Sequence, residues 1–275
     1  MNNSFLRRIA ALSAAVVAFA SMLCGCGGDH SHSESALPEL VIGSDYYSPF
    51  VFRDDTGDFA GIDVELATEV CRQLGYKATF KHINWADKNT MLENGDVDCV
   101  WGCFSITGRE NDYAWTLPYM KSRQVVAVPE DSSINKISDL ENKRVAVQIT
   151  SKPDEIFSGR SGVKMTVPKL KALNCFPNMT YIFAAINEGY VDAIAGHEES
   201  ISDYMKTSSV SLRILDEPLL EVEVGVAFKK GSNSDKIEKI NKVFKILKND
   251  GFLTKLIVSY GLDPETHLVN YEQTR

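Results

Sequence analysis

"WGCFSITGREND", residues 101–112, passes from an apolar, strand-like run into a small polar turn that carries Ser105, Thr107 and Arg109. An arginine in such a turn is either a solvated loop charge or a guanidinium fork fixed for a carboxylate. The fork suits a carboxylate because it offers two parallel hydrogen bonds, which a lysine cannot reproduce. The pattern of the chain on both sides of the turn decides what it belongs to.

Upstream, "ELVIGSD" (39–45) is a short apolar run that ends in turn residues. "DVELATEVCRQLG" (63–75) places Val64, Leu66, Ala67, Val70 and Leu74 at helical spacing and closes on Gly75, where a C-terminal cap belongs. "KATFKH" (77–82) alternates like a strand. "DKNTMLENG" (87–95) predicts a short helix with Asp87 as N-cap and Gly95 as stop, and "DCVWG" (98–102) a buried strand. This β-α-β-α-β order predicts an α/β protein with a mainly parallel sheet and helices on its faces.

Downstream the logic repeats. "SRQVVAV" (122–128) predicts a strand, "SDLENKRVAVQ" (138–148) a short capped helix and a strand, "NMTYIFAAINEG" (178–189) a helix capped by Asn178, and "YVDAIAG" (190–196) a strand. Two amphipathic helices follow, over 234–251 and 252–261. Two α/β lobes with a helical tail result. Ligands of such sheets bind in a crevice beyond the carboxyl ends of the strands, where "GCFSITGR" lies.

The N-terminal residues read as targeting rather than fold. Arg7 and Arg8 precede Ile9–Leu23, an uncharged apolar stretch too short to span a bilayer comfortably and of signal-peptide size. It ends in "LCGC" (23–26), which looks like a lipobox with Cys26 as the residue to be lipidated; a plain secretory signal is the alternative. Residues 1–25 are therefore expected to be a lipoprotein signal peptide. Residues 26–37, small and polar, are expected to be a flexible tether in which His30 and His32 are inert. Losing Arg7 and Arg8 would move the formal net charge from −8 to −10. That acidity argues against nucleic acid, which needs a basic surface. Cys71, Cys99, Cys103 and Cys175 show no metal-like spacing, and three of them sit in apolar runs, where buried free thiols are expected. No cofactor or metal is expected.

The stretches "IGSDYYSPFVFRDDTGDFAGIDVELATEV", "WADKNTMLENGDVDCVWGCFSITGRENDYAWTLPYM", "ISDLENKRVAVQITSKPDE", "NEGYVDAIAGHE" and "GVAFKKGSNSDKIEKINKVFKILKNDG" together resemble the extracellular solute-binding proteins of family 3. These are the amino-acid receptors of bacterial ABC importers, and the likeness runs in order through residues 39–262. It implies the type II periplasmic-binding-protein fold: two α/β lobes joined by a two-strand hinge and closing on ligand. Lobe 1 would be 38–122 with 225–275, and lobe 2 would be 123–224.

The resemblance also implies a site. The family holds the ligand α-carboxylate with the arginine after the "SIT" turn, which matches Arg109, although this turn is one residue shorter than usual between Thr107 and the arginine. Ser105 and the peptide groups of Gly102 and Cys103 would line the same turn. In lobe 2, Thr150 and Ser151 precede Pro153 at a helix start, matching the turn that caps the carboxylate from that side. Tyr47 matches the ligand-stacking tyrosine, with Tyr46 as the alternative because the "SDYYSPF" loop is one residue short. Trp85 aligns with a position facing the ligand side chain. Asp45 either binds that side chain or ends its strand.

One position departs from the family. Where an aspartate usually meets the α-ammonium, at the end of "VDAIAG", this chain has His197, followed by Glu198; either would take that role. A histidine with an ordinary pKa near 6.5 would gain a proton between about pH 7.5 and 5.5 and repel an ammonium. The expected function is a lipid-anchored, monomeric, extracytoplasmic receptor that hands a polar amino acid or related small carboxylate to a membrane ABC permease. The competing class is an enzyme on the same fold, a cyclohexadienyl dehydratase-like protein using His197, Glu198 and Arg109. No nucleophile–base spacing or metal cluster supports it.

Overall fold

The apolar run at 39–44 forms strand β1 (Glu39–Ser44) in the computed structural model, which describes residues 37–271. The expected signal peptide (1–25), Cys26 and residues 26–36 of the expected tether lie outside the described residues. A small hairpin, β2 (Phe52–Arg53) and β3 (Phe59–Ala60), leads into α1 (Ile62–Leu74). This helix forms because its apolar residues recur on one face, burying Leu66, Ala67 and Val70. It stops because Gly75 takes the left-handed conformation at φ 73°. Strand β4 (Lys77–His82), helix α2 (Lys88–Asn94), and strands β5 (Cys99–Val100) and β6 (Ala114–Trp115) complete the first half.

The ten-residue strand β7 (Met120–Pro129) then carries the chain into a second sheet. There follow β8 (Arg144–Gln148), α3 (Lys152–Phe157), β9 (Ala172–Phe176), α4 (Met179–Asn187), β10 (Ala193–His197), α5 (Glu198–Met205) and β11 (Leu212–Ile214). Strand β12 (Leu220–Val224) brings the chain back, and β13 (Ala227–Phe228) rejoins the first sheet. Helices α6 (Ser234–Asn249), α7 (Phe252–Ser259) and α8 (Pro264–His267) follow, with α6 and α7 packed on α1.

The first sheet has the order β4-β1-β5-β13-β6 and the second β11-β7-β10-β8-β9, with β12 also paired to β7. Both are mixed rather than mainly parallel. Strands β4, β1 and β5 are parallel to one another, as are β9, β8 and β10, because helical crossovers join them. Strands β13 and β7 do not arrive through such crossovers and run antiparallel to their neighbours. Each sheet with its helices is one lobe. Where the chain passes between lobes, β7 and β12 lie side by side in register Met120↔Val224 and Ser122↔Val222.

The two sets of parallel strands end facing each other. After β1 comes Asp45 and after β5 the turn Gly102–Ser105; from the other lobe come Thr150 after β8 and His197 at the end of β10. Gly102 leaves room for Ser44 here, since a Cβ at that position would stand 2.1 Å from Ser44 Oγ and force that side chain to turn away. Cys71, Cys99 and Cys103 are buried free thiols, and Cys175 is a free, exposed one. Among the described residues no helix is long and apolar enough to cross a membrane, and no group of three His, Cys, Asp or Glu could hold a metal ion.

Candidate functional site

A narrow cavity, nearly filled by its own lining, occupies the cleft where these strand ends meet. The first lobe contributes Asp45, Tyr47, Trp85, the Gly102–Ser105 turn and Arg109. The second contributes Gln124, Gln148, Ser151, Lys152, Met179 and His197. Nearly all the polar groups are buried, with Asp45, Ser105, Arg109, Gln124, Gln148, Lys152 and His197 each at most 7% exposed. Polar groups so placed need partners or a ligand.

The turn that carries Arg109 is held from below. Cys103 sits at φ 47°, and its N–H donates to Asp63 Oδ2 at 2.7 Å, fixing the turn to the start of α1. Burial pushes the Asp63 carboxyl up to about 7. Arg109 folds over the Phe104 ring, its guanidinium carbon 5.0 Å from the ring centre. It reaches across the cleft to Glu155 and to the carbonyl of Thr150. Lys152 Nζ holds the other oxygen of Glu155 at 2.6 Å. Burial, with Arg109 nearby, lowers the pKa of Lys152. Lys88 Nζ donates to Thr150 Oγ1 at 2.8 Å, and burial together with Arg109 lowers its pKa to about 7.

At the base of the cleft Gln148 Nε2 donates to Asp45 Oδ2 at 2.5 Å, and burial lifts the Asp45 carboxyl to about 6. The Tyr47 hydroxyl accepts from the His197 backbone N–H at 3.0 Å, with the two rings edge to face. The His197 ring contacts Ser105, Ser122 and Gln124. Burial, opposed in part by Glu199, lowers its pKa to about 4. The imidazole is therefore neutral across the pH 7.5 to 5.5 window, contrary to the expectation of an ordinary pKa.

The expected residues are mostly brought together. Arg109, Ser105, Cys103, Gly102, Tyr47, Trp85, Asp45, Ser151 and His197 line one cavity. Tyr46 does not: it is 40% exposed, stacks on His82 and accepts from Arg53, so the one-residue-short loop points Tyr47 inward instead. Glu198 does not either. It forms a two-point ion pair with Arg123 outside the cavity, because it is the first residue of α5 and the helix turns it away. Thr150 touches the site through Arg109 and Lys88 but faces a neighbouring groove. Ser151 caps the six-residue α3 through Asp154 N–H.

Gln124, Gln148 and Lys152 were not anticipated. The signal for the glutamines is that each sits at the end of an apolar run, Gln124 before "VVAV" and Gln148 after "VAV". Lys152 carried none, because a lysine at a helix start ordinarily points to solvent.

The profile of the bacterial extracellular solute-binding proteins, family 3, matches residues 40–263. The chain belongs to this family. Among its relatives, the L-cystine-binding protein TcyA of Bacillus subtilis is 28% identical over 257 residues, covering 88% of this chain and 92% of that protein. The arginine-binding extracellular protein ArtP of the same organism is 28% identical over 250 residues, covering 89% and 94%. A crystal structure of the substrate-binding protein of an amino-acid ABC transporter superposes with a TM-score of 0.72 at 29% identity, covering 80% of this chain and 98% of that one. The fold of this solute-binding protein is thus the type II fold, and its family is one of binding proteins rather than enzymes.

Proposed function

We propose that this solute-binding protein takes a polar amino acid into the cleft between its lobes and delivers it to an ABC permease. In this reading residues 1–25 are a signal peptide and Cys26 carries the lipid. Residues 38–122 with 225–275 form lobe 1, and 123–224 form lobe 2. The observation that carries the reading is the buried polar lining drawn from both lobes, with Arg109 and Asp45 on one wall and Gln124, Gln148 and His197 on the other. A zwitterion of amino-acid size needs such convergent groups of both polarities. Relatives that bind cystine and arginine support the ligand class. The dehydratase reading loses its acid–base pair, because Glu198 is turned away from His197 onto Arg123.

A panel of L-amino acids tested by thermal shift and calorimetry checks the proposal. At least one should raise the melting temperature, since only the folded form binds. If none does, and freshly purified protein shows no retained amino acid by native mass spectrometry, the ligand class is wrong.

A further inference from the structure

Four buried side chains form one hydrogen-bonded chain behind the cavity wall: Glu199, Ser122, His197 and Gln124, from 1% to 7% exposed. Ser122 Oγ lies 2.7 Å from Glu199 Oε2 and 2.7 Å from His197 Nδ1. A serine hydroxyl has a single hydrogen, and a carboxylate only accepts. The hydrogen goes to Glu199, so His197 Nδ1 must be the donor to Ser122. Because burial keeps the ring neutral, Nε2 then carries no hydrogen and accepts. Gln124 Nε2, 2.8 Å away, is its nearer donor, with Ser105 Oγ at 3.2 Å also in reach of the same nitrogen and of the Gln124 amide at 3.3 Å.

This sequence of donors fixes the Gln124 amide. With nitrogen and oxygen exchanged, the amide oxygen would face the lone pair of Nε2. The consequence is that Gln124 Oε1, on a residue lining the cavity, is buried without any hydrogen-bond partner. A buried amide oxygen left unpaired is costly, and few are found without a reason.

We propose that Gln124 Oε1 accepts an N–H of the ligand's α-ammonium, and that Glu199, Ser122 and His197 are positioning residues holding the amide in that orientation. The proposal rests on the amino-acid reading above and identifies where the ligand's cationic group is met. It also accounts for the missing aspartate. Every donor in the chain points toward Glu199, so each bond polarises the next. A carboxylate outside the cavity thereby strengthens an acceptor inside it. His267 Nε2, 3.1 Å from Glu199 Oε1 and close enough for an ion pair though not aligned as a hydrogen bond, holds Glu199 from the C-terminal helix α8.

The test compares each L-amino acid of a panel with its counterpart lacking the α-amino group, such as L-arginine with 5-guanidinopentanoate. Calorimetry gives the affinity ratio for each pair. Gln124→Met keeps the bulk and removes the acceptor, and should cut the wild-type preference for the amino acid roughly tenfold or more. Ser122→Ala frees Nδ1 and should lower the ratio similarly, while Ser122→Thr, which keeps the hydroxyl, should restore it. Nitrogen-15 shifts of the His197 ring, which need no ligand, should show hydrogen on Nδ1 in the wild type and its redistribution in Ser122→Ala. A wild-type ring protonated on Nε2 overturns the proposal, as does an unchanged ratio in Gln124→Met. If no amino acid binds even the wild type, the amino-acid reading itself fails and takes the proposal with it. A wild type that binds while the variants keep its preference sinks the proposal alone.

Discussion

Arg109 and Glu155 meet across the cleft with Nε and Nη2 of the guanidinium on one carboxylate oxygen, at 2.8 and 2.6 Å. Nη2 also reaches the Thr150 carbonyl at 3.2 Å, and Nη1 the Ser105 carbonyl at 3.3 Å. A guanidinium has five N–H groups, so one on Nη1 remains beyond these four contacts. The carboxylate that Arg109 meets is internal, from Glu155, where the resemblance implied one from a ligand. In the proposed reading a ligand carboxylate would meet Arg109 either through the remaining N–H or by sharing the fork with Glu155.

Arg109→Ala should therefore weaken binding of an amino acid about thirty-fold or more. Truncating one member of a buried charge-assisted pair costs roughly 2–5 kcal/mol. Arg109→Lys should recover part of the loss, since the ammonium keeps the charge but not the fork. Calorimetry on both variants measures this, and unchanged affinity in Arg109→Ala would remove Arg109 from the binding site.

Glu155→Gln probes the same pair through stability. It leaves the side chains of Arg109, 4% exposed, and Lys152, 0% exposed, without their shared counter-charge. Breaking a buried pair costs about 3–5 kcal/mol, and Glu155, at 20% exposure, belongs at the low end. A fall in melting temperature of roughly 6–12 °C is expected for a domain of this size. A change within two degrees would show that solvent screens the pair.

The alternation of elements was legible because periodicity and caps act locally. Gly75 ends α1, and Asn178 caps α4 by accepting from Tyr181 N–H. The antiparallel members of the sheets were not legible, since the direction of β7 and β13 depends on how the chain crosses between lobes. Helix α5 was hidden because it is short and mostly polar, with Ile201 as its buried apolar residue. Arg109, Tyr47 and His197, which the family resemblance singled out, line the cavity. The orientation of Glu198 and the internal partnership of Arg109 with Glu155 depend on two lobes brought together, which no local pattern encodes.

Cys26 is tested by labelling in cells. Cys26→Ala should lose palmitate and appear as released or unprocessed protein, since anchoring depends on the acyl chains. Persistent labelling would assign the lipid elsewhere or refute the lipobox.

Asp45 and His197 should pull the pH response of stability in opposite directions, on a background that Asp63, raised to about 7, and Lys88, lowered to about 7, share in every variant. Burial raises the Asp45 pKa from its ordinary 3.8 to about 6, and lowers that of His197 from 6.5 to about 4. For Asp45 the folded state holds the proton more tightly, so its contribution to stability is present below about pH 3.8 and is lost as pH rises through 6. For His197 the unfolded state holds the proton more tightly, so its contribution is present above about pH 6.5 and is lost as pH falls through 4. Each shift corresponds to about 3 kcal/mol, and the two oppose each other between pH 4 and 6. Relative to the wild type, Asp45→Asn should lose stability more steeply as pH drops from 6 to 4, and His197→Gln should tilt the difference the other way, because Asp63 and Lys88 contribute equally to all three proteins. Binding separates them further. A ligand whose side-chain cation meets Asp45 should bind more weakly as pH falls from 7.5 to 5, because that carboxylate, raised to about 6, takes up a proton. Asp45→Asn should bind such a ligand weakly but equally at both pH values, and His197→Gln should keep the wild-type dependence. If instead the dependence vanishes in His197→Gln and survives in Asp45→Asn, the histidine titrates near neutrality and its neutral state in the cavity is wrong.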